Sequence, residues 1–238
     1  MKSIILLLIG LYILFGSAQK VDCQTHLVIS QVYGGAGCGT VGCSTYKNDY
    51  IELFNPTAAA QSLNGWSVQY ASATGASWSV TALPNIMLQP GQYFLIAEAF
   101  NTNGISALPT PDATGSIAMS GTAGKVALVN VTTALSIACP SGATIIDFIG
   151  YGATANCSET APSPAPSTTT AAIRTNVCTD INNNSTEFTA TAPNPRNSLT
   201  PLFTCATGPL VTAKLTDVIS IDNYAPGIAN PTDEITYK

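Results

Sequence analysis

The sequence predicts an all-β sandwich, and three observations predict it. Short runs rich in β-branched and aromatic residues recur along the chain in near period-two alternation. Gly, Pro and Asn punctuate those runs, which favours a sandwich over a parallel α/β sheet. No stretch keeps apolar residues at i, i+3, i+4 and i+7, so no long helix is expected.

The first three runs set the pattern. They are Leu27-Val28-Ile29-Ser30-Gln31-Val32-Tyr33-Gly34-Gly35, Asn48-Asp49-Tyr50-Ile51-Glu52-Leu53-Phe54-Asn55-Pro56 and Leu63-Asn64-Gly65-Trp66-Ser67-Val68-Gln69-Tyr70. Trp78 to Leu83 is a fourth strand. In Ile86-Met87-Leu88-Gln89-Pro90-Gly91-Gln92-Tyr93-Phe94-Leu95-Ile96-Ala97, Pro90 presets φ and Gly91 accepts a positive φ, so a turn feeds an apolar strand. Gly124 to Asn130 and Ala143 to Gly152 complete the strand set.

These residues resemble the lamin-tail domain family. The likeness rests on the apolar opening strand ending in Tyr33-Gly34, the strand Asn48 to Asn55, Leu63-Asn64-Gly65-Trp66 and the Pro90-Gly91 element. Its later parts are the Asp147 strand, Ala172-Ile173-Arg174, an Asn-rich turn and Pro193-Asn194-Pro195-Arg196-Asn197-Ser198. The resemblance implies an immunoglobulin-like β-sandwich over residues 25–201, with Trp66 and the apolar side of the Ile51 strand in its core. It also implies a binding or architectural module rather than an enzyme. Secreted relatives travel with nucleases and phosphatases, so an accessory role beside such an enzyme is the alternative.

The 238 residues suit one all-β domain with extensions. Residues 1–18 read as a signal peptide: Lys2, an apolar run from Ile4 to Phe15, then Gly16-Ser17-Ala18. That run falls short of the ~20 residues of a membrane span. A secreted, extracellular protein is therefore expected. Residues 202–238 are a C-terminal extension of extra strands or disorder.

Export explains seven cysteines. Cys38 and Cys43 flank a tight loop, Cys139 and Cys157 flank a strand, and Cys178 with Cys205 would staple the C-terminal segment. Cys23 is left over, as a free thiol or for a bond between chains. Asn130, Asn156, Asn183 and Asn184 open Asn-x-Ser/Thr sequons, which matter in a eukaryotic source.

A search for chemistry finds no catalytic, cofactor or metal site. His26 is the only histidine, without a nucleophile elbow, and reads as a strand-start residue. Asp49 and Glu52, three apart on one strand, point to opposite faces and make no acid/base pair. Asp147 reads as the polar face of its strand, with a buried, hydrogen-bonded acid as the alternative. Gly124-Lys125 is not a phosphate loop, because Val126 stands where Ser or Thr should bind magnesium. The oxygens of Asp180-Ile181-Asn182-Asn183-Asn184 read as a self-satisfying turn rather than a calcium loop. A hydrolase with an unrecognised site is the weakest reading.

Charge excludes a further class. Only 9% of residues are charged, the net charge is −5, and the eight Lys and Arg are scattered. Neutralising about six phosphates takes clustered cations. Between 25 and 201 the chain offers Lys47, Lys125, Arg174 and Arg196. The expected partner is a protein, a glycan or a matrix component, with no nucleic acid and no membrane span.

Overall fold

Two antiparallel-rich sheets face each other, and their apolar side chains interdigitate between them. The structure, a computed structural model, describes residues 24–205. Residues 1–18, read above as a signal peptide, together with Cys23 and the extension beyond Cys205, lie outside the described residues. In chain order the strands are β1 (Val28–Tyr33), β2 (Ser44–Tyr46), β3 (Asn48–Phe54), β4 (Gln61–Ser62), β5 (Ser67–Ser72), β6 (Ser79–Ala82) and β7 (Met87–Leu88). There follow β8 (Tyr93–Phe100), β9 (Gly104–Ser106), β10 (Ala113–Thr114), β11 (Gly124–Val129), β12 (Ile145–Tyr151), β13 (Ala171–Arg174) and β14 (Phe188–Thr191). The larger sheet runs β10-β8-β3-β1-β13-β14 and the smaller β12-β11-β5-β6, with β2-β9 and β4-β7 as two-stranded additions. Among the described residues the helical elements are a 3-10 turn, Gly35–Gly37, and one four-residue helix, α1 (Asn184–Glu187).

Alternation decides which side chains enter the core. From the larger sheet come Ile29, Val32, Ile51, Leu53, Phe94 and Ile96; from the smaller, Val68, Tyr70, Val126, Leu128, Ile149 and Tyr151. Burying an aliphatic side chain of this size contributes roughly 1.5–3 kcal/mol, so this layer is the main stabilising term. Ile29 and Val32 are three residues apart, yet both face inward. A β-bulge allows this: pairing with β3 shifts from Ile29–Leu53 to Gln31–Glu52, and Ser30 is the extra residue.

The outer face of the larger sheet is also covered. Phe54, Tyr93, Val28 and Val177 pack with Cys205, and Phe203 N donates to Gly91 O, so the folded unit continues past Pro201. Gly91 has φ +74°, as the turn after Pro90 demands. Trp66 corrects one expectation: it is only partly buried and packs at the core margin. The smaller sheet's outer face instead buries Trp78, whose Nε1 donates to Ile137 O and whose ring meets Phe148. β13 and β14, which complete the larger sheet, lie in a region where the sequence offers only the Ala172-Ile173-Arg174 motif, an Asn-rich turn and the Pro193 to Ser198 motif.

Disulfides join Cys38 to Cys43, Cys139 to Cys157 and Cys178 to Cys205. The last closes 27 residues and ties the outer cover to the sheet. Each bridge restricts the unfolded chain and contributes about 2–4 kcal/mol. Reduction under native conditions should therefore lower the melting temperature by many degrees; a change within a degree or so would show that the bonds are not structural.

Candidate functional site

Two places concentrate polar chemistry: a charged network buried between the sheets, and an open cleft at one end of the sandwich.

The network centres on Arg174, at the end of β13. Its Nη2 donates to both oxygens of Asp147 on β12, at 3.1 and 2.9 Å, so the ion pair crosses from one sheet to the other. Nε donates to Ile29 O at 3.0 Å, Nη1 to Glu187 Oε1 at 2.7 Å, and the guanidinium lies 4.6 Å from the centre of the Phe188 ring. Asp147 is 1% exposed and also accepts from Ile29 N and Phe148 N. This overturns its reading as a surface residue: a strand carboxylate facing the opposite sheet stays buried because a guanidinium meets it there. Burial pushes Asp147 up, to about 6, against the pull of Arg174.

Glu159 belongs to the same network and was missed in the sequence. Burial first, then the nearby charges of Asp147 and Asp180, push its carboxyl up to about 9, so it holds its proton at neutral pH. Asn184 Nδ2 donates to Glu159 Oε2, and Asn184 Oδ1 accepts from Gly150 N and Glu159 N. Carboxylate oxygens of Asp147, Glu159 and Asp180 lie within 4.8 Å of one another, the spacing of a cation site. Arg174 sits against Asp147 and Asp180 and supplies the countercharge there. In the Asp180 turn, Asp180 Oδ1 accepts from Asn182 N, while Glu187, outside the turn, takes Ile181 N and Asn183 N. His26 lies beside it, with Nε2 3.5 Å from Asp180 Oδ2.

A second pair holds the outer cover. Glu52, fully buried, accepts from Ser30 Oγ, Gln31 Nε2, Arg196 N and the Arg196 guanidinium. Arg196 also stacks on Tyr93, 3.8 Å from the ring centre. The Ser30 bulge lets two consecutive residues of β1 reach the same carboxylate. Lys125 is buried too, and its Nζ donates to Gly75 O, Ala138 O and Asn156 Oδ1, which fills its three donors.

The cleft is different. About 440 Å³ opens between Gly34, Gly35, Gly37 and Cys38 on one wall, residues 119–122 on another, and Ser167 with Thr168 on a third. No charged side chain lines it. The walls pass close to one another: a Cβ on Gly34 would sit 2.3 Å from Ser120 O, which requires glycine there. Four buried side chains hold the walls from beneath. Asp49 accepts Ala36 N at 2.9 Å with one oxygen and Met119 N at 2.8 Å with the other. Tyr70 Oη accepts Ser120 N, Tyr151 Oη donates to Ser120 O, and Tyr33 Oη donates to Thr168 O. Asp49 and Glu52 thus serve different faces of β3, as their spacing predicts.

The sequons fall in unlike surroundings. Asn184 is fully buried with both side-chain atoms bonded, so it leaves the set of glycosylation candidates. Asn156 accepts Lys125, and Asn183 accepts Ser185 Oγ. Asn130 is exposed just past β11.

The fold defines an immunoglobulin-like β-sandwich, nearly all β. The chain belongs to the lamin tail domain family: the Lamin Tail Domain pattern matches residues 22–153, more than half of it. No curated protein sequence matches the chain. Among solved structures, a DUF4876 family protein from Bacteroides thetaiotaomicron is similar at 11% identity and a TM-score of 0.48, covering 76% of this chain and 75% of that one. Among the described residues no helix is long and apolar enough to cross a membrane.

Removing one partner of a buried ion pair leaves the other charge uncompensated, which costs about 3–5 kcal/mol. Asp147→Ala also takes the acceptor from Ile29 N and Phe148 N and should lower the denaturant midpoint by that equivalent, while Arg174→Met should cost at least as much, because it leaves Asp180 and Glu187 as well as Asp147 without their cation. An Asp147→Ala protein as stable as the parent would show that the pair does not join the sheets.

Proposed function

We propose that this chain is a secreted, non-catalytic interaction module that presents the cleft to a protein, glycan or matrix partner outside the cell. The observation that carries the reading is the division of polar groups. The buried cations and their acids are committed inward, to the Arg174, Glu52 and Lys125 networks, while Asp49 and Glu98 lie beneath the cleft and accept from backbone amides. The open cleft is lined by glycine backbone, by Cys38 and Met119, and by the uncharged Ser120, Thr122, Ser167 and Thr168. Such a surface suits a neutral partner recognised by shape and hydrogen bonds, since it has no charge to neutralise and no activated nucleophile or base to offer. Three intramolecular disulfides support an oxidising, extracellular setting.

The cations argue against nucleic acid. Lys125 and Arg174 are buried and Arg196 pairs with Glu52. A gel-shift at micromolar protein and physiological salt should show no retardation of a short duplex, and retardation that weakens with salt would overturn this.

The cleft itself is tested by filling it. Thr122 is exposed on the rim, so Thr122→Trp adds bulk without entering the core. Immobilised wild-type protein should retain a component of its own secretome or cell-wall fraction that Thr122→Trp does not. Equal retention by the two would move the binding surface elsewhere.

A further inference from the structure

The residue beneath the cleft has a position that nothing in the binding reading requires. Asp49 is 2% exposed, yet it joins two walls that are far apart in sequence: the 3-10 turn through Ala36 N and the 117–122 segment through Met119 N. Two residues before Met119, Ile117 N donates to Glu98 Oε2 at 2.9 Å. The segment that forms the second wall is thus fastened by two buried carboxyls and no cation. Facing Asp49 are Tyr33 from β1, Tyr70 from β5, Tyr151 from β12 and Glu98 from β8. The 3-10 turn and the 117–119 segment meet it with backbone amides.

We propose that Asp49 is a proton-operated clamp that sets the width of the cleft, closed when ionised and loosened when protonated. The proposal rests on the cleft being the binding surface. As a carboxylate, Asp49 accepts on both oxygens, one wall to each. When a proton from solvent binds one oxygen, that oxygen becomes a donor, its amide loses a full-strength acceptor, and the two walls are no longer held to the same group. Ligand held in the cleft at neutral pH is then released in mildly acidic surroundings.

The pH range follows from the site. Burial pushes Asp49 up to about 6 against the pull of its two amide bonds, and burial pushes Glu98 up to about 7. The sign for the fold as a whole is opposite to the sign for the cleft. A carboxyl whose folded pKa is raised makes the native state bind protons more tightly than the unfolded chain does. Its stabilising contribution is full below the ordinary carboxylate range and is lost as pH rises through the folded pKa. Acidification through pH 6 should therefore raise the melting temperature while it opens the cleft, and general acid denaturation would not do this.

The test reads the free protein by NMR, without a ligand. The amide signals of Ala36 and Met119 should titrate together with a midpoint near 6, the value to which burial brings Asp49. Their hydrogen exchange should be faster on the acid side than local base catalysis allows. The transition should persist in Glu98→Gln, which keeps an oxygen for Ile117 N, and vanish in Asp49→Asn. Flat amide signals in the wild type between about pH 5 and pH 8, or a transition that survives Asp49→Asn, would overturn the proposal. Should Asp49→Asn fail to fold, the side-chain carboxyl carbon of Asp49 decides in the wild type, because a midpoint differing from that of the two amides also overturns it. The two readings fail separately: titrating amides with undiminished Thr122→Trp binding would leave the clamp and remove the cleft's role, whereas flat amides with abolished binding would do the reverse.

Discussion

The Arg174–Asp147 ion pair is the constraint on which the sandwich depends. Hydrophobic contact between sheets is non-directional and tolerates sliding, but a guanidinium nitrogen donating to both oxygens of a carboxylate does not. One partner belongs to the β13 end of the larger sheet and the other to the smaller sheet, so the pair fixes their relative placement. The same guanidinium binds the backbone of β1 through Ile29 O and the start of β14 through Glu187 and Phe188. One side chain therefore registers four strands. Buried charge is costly, and what offsets it here is completeness: Arg174 has acceptors on all three of its nitrogens, and Glu159 avoids a further buried charge by keeping its proton.

Polar groups elsewhere follow the same logic on a smaller scale. Glu52 and Arg196 hold the C-terminal cover against the outer face of the larger sheet, with Tyr93 as the stacking surface. Asp49 and three tyrosine hydroxyls hold the cleft. In each case a polar strand residue is paired with a segment that no strand ladder holds. The loops are placed by buried polar side chains, and the sheets by apolar ones.

This division explains what the sequence reveals. The strands around Ile51, Phe94 and Val126 are legible because alternation and turn residues are local signals. β13 and β14 are not: Ala-Ala-Ile-Arg and Phe-Thr-Ala-Thr carry little apolar bulk and become strands by pairing with β1 and with each other. Asp147 has its partner 27 residues away, and nothing near it in sequence distinguishes a buried acid from a surface one. Trp66 suggests a core by its size, but the position after Gly65 leaves it at the margin. The bulge did leave a trace, since Ile29 and Val32 break strict alternation in a run that is otherwise strand-like. The cleft left almost none, because backbone builds most of it.

The place of β13 in the larger sheet has a consequence for how the chain assembles. Gln31 pairs with Ile173 and Val32 with Ala172, so one side of β1 finds its neighbour only after some 140 intervening residues exist. During synthesis or threading, β1 can close on β3 early but presents an open edge on its other side until β13 arrives. Such an edge invites pairing with another chain. A nascent chain of this kind is safest when it stays extended until its end is available, and a truncated one that stops before Ala171 keeps the hazard permanently.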